Sequence, residues 1–209
     1  MNNYRYEDES GRSMIEMLGV LAIIGVLSVG GIAGYSKAMN KFKTNQVADN
    51  VSMLVANIKT LYAQQKSYAD LDNTSAVSMG VVPDELVAGE DTNKKKVLRN
   101  AFNGEVHIGS AQGTKANDSF FIAFNGLSKE ACITLATNDW GSSYSSGLVG
   151  LKVGNTGTIS ADDTNLSIGC TKDGSDGSIC PGKMPMPVIQ AATHCNCSGN
   201  TCYVFWKYY

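Results

Sequence analysis

The sequence offers little of what an enzyme active site requires. It has only two histidines, His107 in a predicted strand and His194 in the cysteine-rich tail. No Ser, Asp or Cys stands in a nucleophile-elbow or protease motif, and no glycine-rich stretch resembles a phosphate-binding loop. The sequence therefore predicts neither an enzyme nor a bound cofactor.

Dense positive charge is also scarce. The formal net charge is −2 for 209 residues, and the densest basic run is Lys94-Lys95-Lys96. Three adjacent lysines are typical of a solvated surface rather than of a phosphate-binding patch. We therefore predict no nucleic-acid ligand.

The acidic clusters do not match a calcium-binding loop. Asp162-Asp163 and the pair Asp173 and Asp176 lack the spacing and the terminal glutamate of the twelve-residue calcium loop. Aspartate is common in turns, where its side chain accepts hydrogen bonds from nearby backbone. These residues predict turns and no metal site.

No charged side chain occurs from Met17 to Tyr35, although Glu16 stands at the edge of this apolar run. The run is long enough to span a bilayer, for which ~20 residues are needed. A secretory signal would have a basic front, whereas residues 1–10 contain three acidic residues and one arginine. A plain single-pass anchor is an alternative, but it gives no role to Glu16, and a carboxylate beside hydrocarbon is costly.

Proline is absent from Ser13 to Lys66, which predicts one continuous helix of ~54 residues, or ~80 Å. From Ala38 to Tyr62, apolar residues recur every three or four positions, as in an amphipathic helix. The first half of this helix is apolar all round and needs lipid or protein around it. The second half needs a globular domain on one side.

Cysteine is absent from the first 131 residues and then occurs six times, as Cys132, Cys170, Cys180, Cys195, Cys197 and Cys202. An even number predicts disulfides if the chain is exported, but spacing alone does not fix their pairing. The alternative is a metal site, because His194, Cys195, Cys197 and Cys202 offer four soft ligands. Structural zinc sites usually space their paired cysteines more widely, so disulfides are favoured.

The rest of the chain predicts short helices and strands. Short helical turns are predicted at Val81–Leu86 and Lys94–Ala101, a turn leading into a strand at Asn100–Gly109, and strands at Ser119–Phe124 and Thr201–Tyr209. Ser128 is the predicted N-cap of a helix over Lys129–Asn138. The pattern indicates a mixed α and β head.

The N-terminal segment resembles the class III signal of type IV pilins. It combines a short polar leader, Gly11, and Glu16 five residues later at the head of the apolar run. The resemblance implies that a prepilin peptidase cuts between Gly11 and Arg12. It also implies that Glu16 pairs with the N-terminal amine of a neighbouring subunit during assembly.

The block from about Val81 to Asp139 is similar to the type IVb pilins. In that family a cysteine in the helix after the second strand pairs with one near the C-terminus, which implies a bridge from Cys132 to Cys170. Cys197 and Cys202 are expected to form a local pair. Cys180 and Cys195 are expected to be disulfide-bonded as well.

We therefore predict an α+β fold, in which a long N-terminal α-helix with a protruding apolar half packs on an antiparallel β-sheet head. The expected organisation is a leader at 1–11, an apolar transmembrane and filament-core helix at 12–35, its amphipathic half at 36–66, and a globular head at 67–209. The head includes a disulfide-stapled region at 132–209.

The resemblance implies a structural subunit, the major pilin of a type IVb-like pilus, polymerised through its N-terminal helix. The implied partners are other copies of the chain, the prepilin peptidase and the pilus assembly platform. The chain would reside in the bacterial inner membrane before assembly and in an extracellular pilus afterwards. The alternative is a membrane-tethered binding module, either a minor pilin or adhesin, or a type II secretion pseudopilin.

Overall fold

The computed structural model describes residues 14–65, 67–141, 143–155 and 177–209. Contacts divide the chain into two compact units, the second of which is Lys41–Tyr209; the described part of the first is residues 14–40. The N-terminal helix α1 runs without interruption over Met14–Tyr62, 49 residues. The prediction of one continuous helix is confirmed, with an end four residues earlier than Lys66.

The second unit contains the remaining helices and all the described strands. In chain order these are α2 (Asn73–Ser78), β1 (Val87–Glu90), β2 (Lys96–Arg99), β3 (Glu105–Ala111), β4 (Ser119–Leu127), α3 (Lys129–Ala136), β5 (Leu148–Gly154), β6 (Ser178–Ile179), α4 (Val188–His194) and β7 (Cys202–Tyr208). A single turn of 3-10 helix follows Pro83, at Asp84–Leu86. The α+β fold predicted from the sequence is confirmed.

The described strands form one antiparallel sheet in the order β1-β2-β3-β4-β7-β5-β6. Strand β7 lies between β4 and β5, and Trp206 is opposite Ile122 on one side and Leu151 on the other. The strand that comes latest in the sequence therefore occupies an interior position in the sheet. The predicted strands at 119–124 and 201–209 are confirmed, as is the strand that follows the turn at Asn100.

The second half of α1 packs against one face of this sheet. Its buried stripe, Val47, Val51, Leu54 and Ile58, has the four-three-four spacing of one helix face and is fully inaccessible to solvent. These side chains belong to the same core as the inward-facing residues of the central strands, which include Phe120, Ile122, Phe124, Val204, Trp206 and Tyr208. Burying each large apolar side chain contributes roughly 1.5–3 kcal/mol relative to exposure, so the stripe holds residues 41–62 onto the head.

Helix α3 begins where the sequence predicts. The Ser128 hydroxyl accepts a hydrogen bond from the Ala131 amide at 3.2 Å, and Glu130 lies in the first turn. Such a cap satisfies one of the backbone donors left free at a helix start, and an acid there complements the helix dipole. The helix ends at Ala136, two residues before the predicted Asn138.

The predicted helical turn at Lys94–Ala101 is wrong, because residues 96–99 form strand β2. The Asp91 carboxylate accepts hydrogen bonds from the amides of Asn93 and Lys95 at 2.8 Å each. Lys94 has a positive φ of 60°, a left-handed conformation that turns the chain back on itself. The segment therefore closes a hairpin between β1 and β2, and β2 then pairs with β3.

The part of β3 that extends beyond its pairing with β2 is covered by Leu71 and by Asn73 at the start of α2. The Asn73 side chain donates to the Val106 carbonyl at 2.9 Å and accepts from the Ile108 amide at 2.8 Å. The Leu71 carbonyl accepts from the Ser110 amide at 3.0 Å. An uncovered strand edge would offer these backbone groups to another chain, and the Asn73 side chain and the Leu71 carbonyl occupy them instead.

Candidate functional site

The described part of the first unit is helical, and its apolar side chains are exposed. We call residues 14–35 the apolar segment. Thirteen of its large apolar side chains are between 51% and 85% exposed: Met14, Ile15, Met17, Leu18, Val20, Leu21, Ile23, Ile24, Val26, Leu27, Val29, Ile32 and Tyr35. A helix that is apolar on every face is stable only inside lipid or among other apolar helices.

The length of the apolar segment matches a bilayer. At 1.5 Å per residue its 22 residues extend ~33 Å, close to the ~30 Å of hydrocarbon in a membrane. Among the described residues, α1 is the one helix long and apolar enough to cross a membrane by length and composition. Two serine hydroxyls of α1 donate hydrogen bonds to backbone carbonyls four residues earlier. Ser28 donates to the Ile24 carbonyl at 2.7 Å, and Ser36 donates to the Ile32 carbonyl at 3.0 Å.

Glu16 lies in the first turn of α1 and is exposed. A negative charge is favourable there because the free amides of a helix start carry partial positive charge. The structure thus places this carboxylate at the end of the apolar segment. Gly11 and Arg12, the residues of the predicted cleavage site, lie outside the described residues.

A disulfide joins α3 to the end of α4. Cys132 is bonded to Cys195, with a Cα–Cα distance of 5.7 Å and a sequence separation of 63. Cys195 is the C-cap of α4, and both cysteines are fully buried. The expected pairing of Cys132 with Cys170 is therefore wrong, because the packing of α4 beside α3 brings Cys195 to that position. Cys170 lies outside the described residues, and Cys180 is disulfide-bonded.

A second disulfide closes the turn that precedes β7. Cys197 is bonded to Cys202 with a Cα–Cα distance of 5.5 Å, which confirms the expected local pair. The Lys129 ammonium donates to the Asn196 side chain at 3.0 Å and adds a polar link between α3 and this turn. Cys195, Cys197 and Cys202 are bonded as disulfides, so the metal-site alternative lacks its thiolate ligands in this structure.

The two histidines lie in separate elements. His107 is in β3, beside a cavity of about 300 Å³ that α2, β2 and β3 border, and His194 is the last residue of α4. Burial lowers the pKa of His107, and the Glu105 carboxylate, 3.6 Å from its Nε2, acts in the opposite direction. Glu105 also lies 3.7 Å from the Arg99 guanidinium. Its carboxylate is therefore close to both the Arg99 guanidinium and the His107 imidazole.

These features, an apolar helix headed by a glutamate and an α+β head with a late disulfide, are those of the family that the sequence resembles. The family model described as PilS N terminal matches residues 41–206. The major structural subunit of the bundle-forming pilus of Escherichia coli O127:H6 is 33% identical over 141 residues, which cover 68% of this chain and 69% of that protein. The chain belongs to the type IVb pilin family.

More distant pilins are similar over comparable lengths. The toxin coregulated pilin of Vibrio cholerae is 25% identical over 135 residues, 62% of this chain and 58% of that protein. The crystal structure of a type IV b pilin from Salmonella typhi aligns with a TM-score of 0.49 and 18% identity, covering 75% of this pilin and 93% of that chain.

The two described disulfides of this pilin are expected to stabilise it unequally. In the chain-entropy model, a bridge with a separation of 63 contributes about 4 kcal/mol and one with a separation of 5 about 2 kcal/mol. Replacing Cys132 and Cys195 together by Ser should therefore lower the free energy of unfolding about twice as much as replacing Cys197 and Cys202.

Urea denaturation of the full chain in detergent micelles would measure both double variants against the parent. The matched pairs remove the same number of sulfur atoms, so a difference between them reports loop length and local packing. Equal losses, or a larger loss for the Cys197 and Cys202 pair, would contradict the expectation.

The loop between β3 and β4 should make the stability of the pilin head depend on pH. Burial alone would raise the pKa of Asp118, but hydrogen bonds from the Thr114 hydroxyl and from the amides of Lys115, Gly113 and Thr114 outweigh it and lower the pKa. A carboxyl whose folded pKa is depressed stabilises the fold above its unfolded pKa of about 3.9, and this contribution disappears as pH falls through the folded pKa.

We expect Asp118→Asn to destabilise the head by about 1 kcal/mol at pH 7, a small value because Asp118 is partly exposed. The difference from the parent should shrink as the pH falls below about 4. Denaturation midpoints measured across that range test this, and a pH-independent difference would rule out the ionised carboxylate as the cause.

Proposed function

We propose that this pilin is the major structural subunit of a type IVb-like pilus, cleaved by a prepilin peptidase after Gly11 and polymerised through its N-terminal helix. The exposed apolar segment is the observation that carries the proposal. The relatives of this chain include a protein named the major structural subunit of the bundle-forming pilus. A structural role, rather than a catalytic one, fits these relatives.

The apolar segment needs an environment that removes its side chains from water. Thirteen large apolar side chains stand largely exposed, and removing them from water is worth on the order of 15–30 kcal/mol. A bilayer supplies this environment before assembly, and the helices of neighbouring copies supply it afterwards. Because lipid and apolar side chains solvate such a segment almost equally, transfer between the two costs little in apolar terms.

The Glu16 carboxylate at the end of the apolar segment then determines which of the two environments is more favourable. Glu16 is costly beside hydrocarbon and becomes favourable when an opposite charge lies near it. In our proposal that charge is the new N-terminal amine at Arg12 of a neighbouring copy. Cleavage after Gly11 creates this amine, so processing would precede assembly.

The disulfides bear on the side of the membrane on which the head folds. Bridges such as Cys132–Cys195 persist in oxidising compartments and are rare in the cytoplasm. We therefore place the head outside the cytoplasm, the apolar segment in the inner membrane before assembly, and the finished subunit in an extracellular filament. The prepilin peptidase and an assembly platform are the further partners of this route.

Shearing filaments from cells that express the chain tests the proposal. Electron microscopy should show filaments, the chain should be the dominant band in the sheared fraction, and its mass should correspond to a start at Arg12. If the protein stays at trace levels in the membrane fraction of piliated cells, the major-subunit role fails. That outcome would favour a minor pilin or adhesin, or a type II secretion pseudopilin.

A further inference from the structure

The two described disulfides lie against each other in the head. The Sγ atoms of Cys132, Cys195 and Cys202 all lie within 4.8 Å of one another. Two of these sulfurs form one bridge, and the third belongs to the other bridge. The Cys202 sulfur is thus next to both atoms of a disulfide in which it takes no part.

The two bridges differ in their access to solvent. Cys132, Cys195 and Cys202 are fully buried, whereas Cys197 is partly exposed. The turn around Cys197 is short, and Ser198, Gly199 and Asn200 are exposed. Cys197 is therefore the most accessible of these four cysteines to a small thiol approaching from solvent.

We propose that the Cys197–Cys202 and Cys132–Cys195 bridges form one thiol–disulfide exchange unit, with Cys202 as the sulfur that transfers the exchange inward. Two molecules of a small thiol reduce Cys197–Cys202 to two thiols and leave as one oxidised disulfide. The Cys202 thiolate then attacks the Cys132–Cys195 disulfide. One S–S bond forms to Cys202 as the Cys132–Cys195 bond breaks, and the displaced sulfur leaves as a thiolate that takes up a proton.

This inner step conserves electrons, since one disulfide replaces another. Attack at Cys195 frees Cys132, and attack at Cys132 frees Cys195. In both cases α3 loses its direct bridge to the end of α4. Reduction at the surface turn would in this way release a buried covalent link between two helices. Burial disfavours the thiolate, which makes the exchange slow at neutral pH and faster at alkaline pH.

Two single substitutions in the full chain, kept in detergent micelles, test the exchange. Cys197→Ser leaves a free sulfur at Cys202, inside the group of three. Cys202→Ser leaves a free sulfur at Cys197, at the surface turn. After incubation at mildly alkaline pH, each variant is quenched in acid, unfolded in acidic denaturant so that exchange stops, and labelled at its free thiol for mass mapping.

In Cys197→Ser we expect label on Cys132 or Cys195 as well as on Cys202. In Cys202→Ser we expect label on Cys197. Because juxtaposed groups react far faster than separated ones, the label on Cys132 and Cys195 together should be at least roughly tenfold greater in the first variant. Label confined to Cys202 in the first variant, or equal spread in both variants, would overturn the proposal.

A second measurement covers the case in which Cys197→Ser does not fold. The unmodified chain is treated with a limiting amount of dithiothreitol and quenched at intervals. Exchange predicts partly reduced molecules that carry thiols at Cys197 and at Cys132 or Cys195. Partly reduced molecules that carry their thiols only as the pairs Cys197 with Cys202, or Cys132 with Cys195, would show that the two bridges open independently.

Discussion

Replacing Glu16 by Ala is expected to abolish filament assembly while leaving a cleaved and folded subunit in the membrane. Glu16 lies in the first turn of α1, at the end of the apolar segment, and far in sequence from the head that begins near Lys41. The substitution removes the charge of an exposed side chain. Its effect should therefore appear in assembly and not in stability.

The physical reason is that Glu16 is costly beside lipid and becomes favourable in the filament. Charged side chains cost on the order of 3 kcal/mol at the centre of a membrane helix and less near its ends. In our proposal this cost is recovered when the carboxylate of Glu16 meets the N-terminal amine of a neighbouring copy. With Ala at this position, the subunit gains nothing electrostatic by leaving the bilayer.

The measurement is the amount of chain in the sheared-filament fraction relative to the membrane fraction. We expect a loss of at least roughly tenfold, since each 1.4 kcal/mol of lost pairing changes an equilibrium about tenfold. Two further variants separate charge from shape. Glu16→Gln keeps the size and should fail like Ala, whereas Glu16→Asp keeps the charge and should retain part of the assembly. Normal piliation of the Ala variant would defeat the proposed role of Glu16.

Gly11→Ser is expected to leave the leader attached. Glycine has no Cβ, and a peptidase subsite that closes around it would be obstructed by a serine side chain next to the cleaved bond. The uncut chain would keep its acidic leader and would have no amine at Arg12. We therefore expect filaments to be absent here too, but with a subunit heavier by the mass of residues 1–11.

The control for this variant is Gly19→Ser within the apolar segment. A Cβ at Gly19 would meet no other atom within 4 Å, so the substitution is accommodated in the subunit. It adds the same hydroxymethyl group at a glycine away from the cleavage site, and its leader should be removed normally. Mass spectrometry of the two variants checks the prediction. A Gly11→Ser chain that starts at Arg12 would show that the cut does not depend on Gly11.

The helices and strands that sequence reasoning found are those with a strong local signal. Helix α1 could be predicted because its apolar residues follow helical spacing and no proline interrupts them. Strand β4 could be predicted from its aromatic residues, and the start of α3 from its Ser128 cap. In each case local sequence and tertiary packing favour the same structure.

The errors arose where a contact distant in sequence decides the outcome. A run of three lysines followed by an apolar pair is compatible with a helix, and only the side chain of Asp91 and the pairing of β2 with β3 make it a hairpin. The partner of Cys132 depends on α4, a seven-residue helix with weak local signals. Six cysteines permit many pairings, and only the packing of α3 beside α4 selects Cys195.

The position of β7 makes the folding of the head depend on residues 202–208. Residues 202–208 are made after every other described strand, yet they hydrogen-bond to both β4 and β5 in the interior of the sheet. A nascent chain that lacks them has unpaired edges at β4 and β5 in place of one continuous sheet. Such a chain cannot form a finished head, so this order of strands excludes prematurely terminated subunits from a polymer of folded ones.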